Sequence, residues 1–340
     1  MRFGPSAFAI AALLLAPMSA GHAQSPPDFF KGKTVDMMIG YSVGGGYDVY
    51  ARLVAKHLGK HIPGNPTVTP KNMEGAGSLR LANWLYNVAP KDGTVMATIG
   101  RGTGFDPLLG HKAAQFDGNK FNWIGSANDE VSVCVSWNKP GNVTKFEELY
   151  ERQLTVGGTG AAADTDQFPR ILNNVLGTKM KIVTGYPGGN DVNLALERGE
   201  VDGRCGWSWS SVMSTRPAWV KDKKINILVQ LALQKHSDLP DVPLVTDLAK
   251  NQEQKQILTL IFARQALGRP FLAPPGIPAE RVAILRKAFM DTMKDKDFLA
   301  EAEKAQLEVT PIDGEKLQKL VSDVYATPAD VAKKAADALK

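Results

Sequence analysis

The chain alternates short apolar runs with amphipathic stretches, and glycine-rich turns separate the two. Residues 33–40, KTVDMMIG, hold a compact apolar run that predicts a short buried strand. Residues 47–60 follow with apolar positions at helical spacing, and Gly44, Gly45 and Gly46 stand between the two. TVTPKNMEGAG predicts a second strand and a glycine turn. A helix over 78–89 carries Leu79, Ala82, Leu85 and Tyr86 on one face, and PKDGTVMATIG predicts a turn and a third strand.

The rhythm then recurs. Thr144 and Glu147 have capping-box spacing in NVTKFEELYER; QLTVGG predicts a strand, TGAAADTD a loop and QFPRILNNVLG a helix closed by Gly177. MKIVTGY, PGGND and VNLALERG repeat strand, loop and helix, and VDGRCGWSW predicts another strand. Strands alternating with helices point to βαβ units on a parallel sheet. Two strand–glycine-loop–helix units, near residues 44 and 158, predict two similar α/β lobes. The expected division is residues 1–23 as a signal peptide, 24–127 as the first lobe, 128–238 as the second, and 239–340 returning to the first with C-terminal helices. Two crossovers between lobes suit hinge closure around a ligand.

Three consecutive glycines are costly to order, so the turn they form should require bare backbone. A helix N-terminus carries unpaired N–H groups and about half a positive charge. A glycine loop at that end lets an anion approach, with Asp48 capping the helix or closing the loop. The alternative is a tight turn without a ligand; the second loop, at Gly158, favours the ligand. Gly158 to Ala163 also fits the dinucleotide pattern G-x-G-x-x-A, but Val183, Thr184 and Gly185 stand where an acidic partner is required. GWSWS lacks the nucleophile-elbow spacing. His57 and His61 read as a solvated helix end. Trp207 and Trp209, on a strand, point the same way, as core or as a pocket wall. Arg101 reads more simply as a surface arginine than as a carboxylate fork.

Composition changes the picture in three places. At 44% hydrophobic the chain has ample core, and its net charge of +5 is dispersed, which argues against nucleic acid and for steering of small anions. Arg2, an apolar run over Ala7–Ala16 and the small residues Gly21 and Ala23 predict a cleaved secretory signal with export to the periplasm. The two cysteines, Cys134 and Cys205, both lie in strand-like runs; an oxidising compartment permits a disulfide between them, with two buried thiols as the alternative.

YSVGGGYDVYARLVAKHLG, NMEGAG, APKDGTVMATIG, TVGGTGAAAD, GYPGGNDVNLALERGEVDG, LPDVP and APPGIPAERVAILRKAF occur in this order along the chain. In that order and spacing it resembles the periplasmic solute receptors of tripartite tricarboxylate transporters, the Bug/TctC family. The resemblance implies a two-lobed α/β fold of the type II periplasmic binding protein class, with no enzymatic activity and no cofactor. It implies a small organic carboxylate held between the lobes, largely by backbone N–H groups. The first loop then supplies Tyr41, Ser42, Gly44, Gly45, Gly46, Tyr47 and Asp48. The second supplies Gly158, Thr159, Gly160, Ala161, Ala162 and Thr165. Tyr186, Asn190, Asp191, Arg101, Thr103 and Trp207 border the cleft.

Implied partners are a mono-, di- or tricarboxylate and membrane permease subunits, with the receptor acting as a monomer. Val43 replaces the proline usual in the first loop, Tyr47 a small residue, and Ala161 to Ala163 the usual serines. An aromatic or longer apolar acid would suit Tyr47 and the tryptophans. Two other readings stay open: an exported enzyme using Asp48 or Asp164 as general base, and a ligand-binding accessory of a sensor.

Overall fold

The computed structural model describes Met1 and residues 28–340; the expected signal segment lies outside the described residues, apart from Met1. In chain order the elements are β1 (Thr34–Ile39), α1 (Gly46–Leu58), β2 (Thr67–Asn72), α2 (Leu79–Asn87), β3 (Val95–Thr98), β4 (Asn122–Ser126) and β5 (Ser132–Trp137). There follow β6 (Leu154–Gly157), α3 (Asp164–Ile171), β7 (Met180–Val183), α4 (Gly189–Glu197), β8 (Gly203–Ser208), α5 (Trp209–Thr215), α6 (Pro217–Lys221) and β9 (Ile225–Leu231). The chain closes with α7 (Gln252–Phe262), β10 (Pro270–Ala273), α8 (Ala279–Thr292), α9 (Lys296–Lys304), β11 (Ile312–Asp313), α10 (Gly314–Tyr325) and α11 (Ala329–Asp337).

These strands form two sheets, in the orders β11-β4-β10-β3-β1-β2 and β7-β6-β8-β5-β9. β1, β2 and β3 pair in parallel, as the alternating pattern requires. The strands at and beyond the crossovers run the other way: β10 is antiparallel to β3 and β4, and β5 to β8 and β9. Each sheet is therefore mixed rather than wholly parallel. β2 is an edge strand, which tolerates Pro70 because its outer side needs no ladder donor.

Apolar residues cover both faces of each sheet. Tyr50, Val54 and Leu58 of α1 pack with Leu285 and Phe289 of α8 on one face of the first sheet. Leu81 and Leu85 of α2 pack with Leu317 and Val321 of α10 on the other. The second core extends past residue 238. Leu258, Ile261 and Phe262 of α7 and Ala335 of α11 join it, and the chain re-enters the first sheet only at β10. The expected return at residue 239 is thus later, because α7 carries an apolar face that the second sheet covers. The expected partner of Thr144 also shifts by one: its hydroxyl and amide both meet Glu148, not Glu147.

Cys134 of β5 and Cys205 of β8 form a disulfide across adjacent strands at the centre of the second lobe. It closes a loop with a sequence separation of 71 residues. Loops of this length restrict the unfolded chain strongly, and losing such a bridge costs about 2–5 kcal/mol. Replacing both cysteines by alanine should lower the unfolding free energy by that amount, read as a lower denaturant midpoint measured against the oxidised parent. An unchanged midpoint would show that the bridge adds nothing to the folded lobe.

Candidate functional site

A cavity of about 50 Å³ lies between the two sheets, where their strand ends face each other. Its lining from the first sheet's elements is Tyr41, Gly45, Gly46, Tyr47, Arg101 and Arg269. From the second it is Thr159, Ala163, Asp164, Thr165, Gly189, Arg204, Gly206, Trp207, Ser208 and Ser211. The N-terminal ends of α1, α3 and α4 therefore converge on one space, and their aligned peptide dipoles make it favourable for an anion.

The glycine loops serve this geometry differently from the expectation. The amide of Gly44 donates to Asp48 Oδ2 at 2.9 Å. Those of Thr159 and Gly160 donate to Thr165 Oγ1 and Asp166 Oδ2, both at 2.9 Å. These three donors are committed within their own loops. What the bare backbone permits is close approach of the lobes. A Cβ on Gly160 would lie 2.6 Å from the backbone of Ala76 and Gly77, and one on Gly188 2.2 Å from Ser42 Oγ. A Cβ on Gly46 would collide with Ser211 Oγ and meet Arg269.

The remaining expected residues divide. Ser42 donates to Asp191 Oδ2 at 2.6 Å and so joins the lobes from outside the cavity. Asp48 is buried and held by Arg52 at 2.8 Å and Asn72 at 2.9 Å. Thr103 donates to Gly77 O, Asn190 accepts from Arg216, and the amide of Tyr186 donates to Gly158 O. Ala161 and Ala162 support the loop without lining the cavity, since Ala161 O accepts from Gln167 and Ala162 packs with the first sheet's core. His57 is buried beside Glu301 at 3.3 Å rather than solvated, and His61 meets Asp295 at 2.8 Å. Among the described residues no cluster of His, Cys, Asp and Glu could hold a metal ion.

Arg101 is not a surface residue: it is 1% exposed. Its Nε lies 3.1 Å from Asp164 Oδ2, and its two terminal nitrogens donate to Gln265 and Ser208. Asp164 also lies 3.6 Å from Arg264. Tyr47 is engaged on its ring and its hydroxyl. It stacks on Tyr41 with centroids 4.7 Å apart, the Arg269 guanidinium lies 4.6 Å from its ring, and its oxygen accepts from Arg101 N at 3.0 Å. The two tryptophans part company because β8 ends at Ser208. Trp207 lines the cavity, whereas Trp209 opens α5 and donates to Asp238 at 2.9 Å.

Arg204, Arg269, Ser208 and Ser211 went unnoticed in the sequence, although an arginine inside the apolar run VDGRCGWSW is itself a signal. Arg269 is met by Glu130 at 3.4 Å and by the hydroxyls of Ser208, Ser210 and Ser211. Arg204 differs. Its Nη1 donates to Gly189 O at 2.9 Å and Asn193 Oδ1 at 2.7 Å, its Nε is buried with no partner, and no carboxylate pairs with it among the described residues. Burial, helped by Arg216 and Arg269, pushes its guanidinium down to about 9. A group held there is still a cation at neutral pH.

A bulge in β8 aims Arg204. Val135 faces Arg204 and Val133 faces Trp207, so Cys205 and Gly206 together oppose Cys134. Gly206, at φ +72°, makes the extra residue possible. Residues three apart would leave a regular strand on opposite faces. Here the Arg204 guanidinium sits 4.5 Å from the Trp207 ring centroid, and both line the cavity.

A second buried carboxyl, Asp106, bridges the lobes by accepting from Gln167 Nε2 at 3.0 Å, and its Oδ2 has no partner. Burial, only partly offset by Arg264 and Gln167, pushes it up to about 8. Between about pH 4 and pH 8 the folded chain then holds a proton that the unfolded chain releases, so this group's contribution to stability falls as pH rises through that window. Asp106→Asn should flatten the decline and give the higher Tm at pH 8. Parallel Tm–pH curves for the two proteins would contradict the assignment.

No family model matches the chain. It is 27% identical over 300 residues to a UPF0065 protein in the TAR-I ttuE–ttuC' intergenic region of Agrobacterium vitis, covering 85% of this chain and 80% of that one. The periplasmic binding protein BugD superposes with a TM-score of 0.72 at 20% identity, over 90% of this chain and 98% of its own. MatC from Rhodopseudomonas palustris, whose structure contains malate, superposes with a TM-score of 0.70 at 19% identity, over 89% and 100%. The likeness establishes the fold: two lobes of the periplasmic binding protein type, as the sequence led one to expect.

Proposed function

We infer that this chain is a periplasmic solute receptor of the Bug/TctC kind, which captures a small organic carboxylate between its lobes and delivers it to a membrane permease. The observation that carries the reading is Arg204. A buried guanidinium without a counter-charge is destabilising, and an anion entering beside it removes that penalty. The site therefore favours a carboxylate before any shape is matched. Arg101 and Arg269 each have a carboxylate beside them, in Asp164 and Glu130, whereas Arg204 is the arginine lining the cavity with none.

The fold comparisons support the same reading, and malate in MatC is a carboxylate in a chain of this fold. The polar seam between the lobes suits opening and closing, since interfaces of that composition between domains separate readily. The acids considered as general bases support binding rather than turnover. Asp48 faces away from the cavity, into Arg52 and Asn72, and Asp164 is paired with two arginines.

Titration calorimetry of the refolded chain against small carboxylates tests the proposal. A bound acid should be returned unchanged. Arg204→Gln, which keeps a polar donor but loses the charge, should weaken binding by about 10–100-fold, the worth of a charge-assisted hydrogen bond of about 1.5–3 kcal/mol. Full affinity in that variant would remove the basis of the reading.

A further inference from the structure

The open edge of Arg204 and the hydroxyls around it narrow the class of ligand. Nη1 of Arg204 is committed to Gly189 O and Asn193 Oδ1. Nε and Nη2 form the edge of a guanidinium that takes both oxygens of a carboxylate side-on. Among the described residues neither donates to the protein. A carboxylate seated on that edge has both of its oxygens answered by one residue. A cavity of about 50 Å³ is several times the space that one water needs, about 10–15 Å³, so it has room for a small acid.

Three hydroxyls of the same lining are left over. The Ser208 oxygen accepts from Arg101 Nη2 and, at 2.9 Å, from Arg269 Nη1. A hydroxyl has two lone pairs and one hydrogen, so Ser208 has its acceptor capacity filled and can only donate. The Tyr47 oxygen likewise accepts from the Arg101 amide at 3.0 Å and from its Nε at 3.4 Å, and Ser211 accepts from Arg269 Nη2 at 2.6 Å. Among the described residues none of these three O–H groups is bonded to an acceptor. Ser210 shows the contrast: it too accepts from Arg269, but it gives its hydrogen to Glu130 and lies outside the lining. Tyr47 and Ser208 share Arg101, and Ser208 and Ser211 share Arg269, so the three make one cluster of donors. Asp164, the acid of the lining, already has Arg101 at 3.1 Å and Arg264 at 3.6 Å beside it.

We propose that the ligand is a short 2-oxo acid, with its carboxylate on the Nε–Nη2 edge of Arg204 and its keto oxygen accepting from the hydroxyl cluster, Ser208 foremost. The proposal rests on the receptor reading and narrows it. A keto oxygen brings an acceptor and no hydrogen, which is what a cluster of obligate donors lacks. Hydroxyls polarised by a guanidinium are also stronger donors than free ones. An acid without a second acceptor leaves these groups buried and unpaired, which is costly, and a 2-amino acid sets the donors of an ammonium against them. Arg101 and Arg269 act through the hydroxyls and are positioning residues.

Calorimetric titration of the refolded parent with pyruvate, propionate and alanine provides the test. Pyruvate should bind at least about 10-fold more tightly than either of the others, a margin that one charge-assisted hydrogen bond supplies. In Ser208→Ala the preference for pyruvate over propionate should shrink to within about 3-fold. The infrared carbonyl stretch of bound, carbonyl-labelled pyruvate should rise in that variant, because a donor to the keto oxygen is gone; a serine that only shaped the site would leave it in place. Where Ser208→Ala binds neither acid, Tyr47→Phe is read by the same two changes. A parent that binds propionate or alanine as tightly as pyruvate overturns the inference and leaves the receptor reading intact, and so does a variant with unchanged preference and stretch. Failure of the parent to bind any carboxylate overturns both.

Discussion

Burying a guanidinium costs several kcal/mol unless a counter-charge lies beside it, and the architecture of this chain puts Arg204 in that position. The bulge at Cys205 and Gly206 turns the side chain toward the gap between the lobes. The Cys134–Cys205 bridge fixes the strand next to it. Trp207 covers one side of the guanidinium, and α4 supplies Gly189 and Asn193 as acceptors. Every one of these neighbours is neutral. The positive charge is stabilised enough to persist and too little to be content without an anion.

The other arginines of the seam each have an acid beside them. Arg101 and Arg264 share Asp164, and Arg269 meets Glu130 and three serines. The Arg101–Asp164 pair and the bonds from Arg269 to the serines cross from one lobe to the other and hold the two together around Arg204. The glycines allow the approach. Without side chains at Gly46, Gly160 and Gly188 the loops of the two lobes come within contact distance of each other. Bringing the lobes together therefore completes a cavity in which the guanidinium from β8 is the lining arginine without a carboxylate beside it.

Much of this was legible in the sequence, and for physical reasons. The apolar run of β1, the glycine break and the amphipathic α1 gave their positions directly, because burial patterns of period two and 3.6 are local properties. The pairing of strands across lobes is not local, and so the antiparallel β5, β9 and β10 and the late return at residue 270 were not readable. The site divided in the same way. Tyr41, Gly45, Gly46, Tyr47, Arg101, Thr159, Thr165 and Trp207 were identified and do line the cavity. The role of the loop amides was misread, since nothing in the order of residues reveals that Thr165 and Asp166 take the donors of Thr159 and Gly160. Arg204 and Arg269 come from distant parts of the chain and meet only through the fold.

The most direct test of the central claim observes Arg204 itself. In a chain labelled at arginine, the Nε–H resonance of Arg204, assigned by its loss in Arg204→Lys, should be followed while propionate is added. The account predicts that this resonance shifts with a saturable dependence on propionate, that it does so more than those of Arg101 and Arg269, and that its exchange with water slows. A resonance that stays in place while the chain demonstrably binds the acid would show that the anion is held elsewhere and that the unmet charge of Arg204 is not what the site is built around.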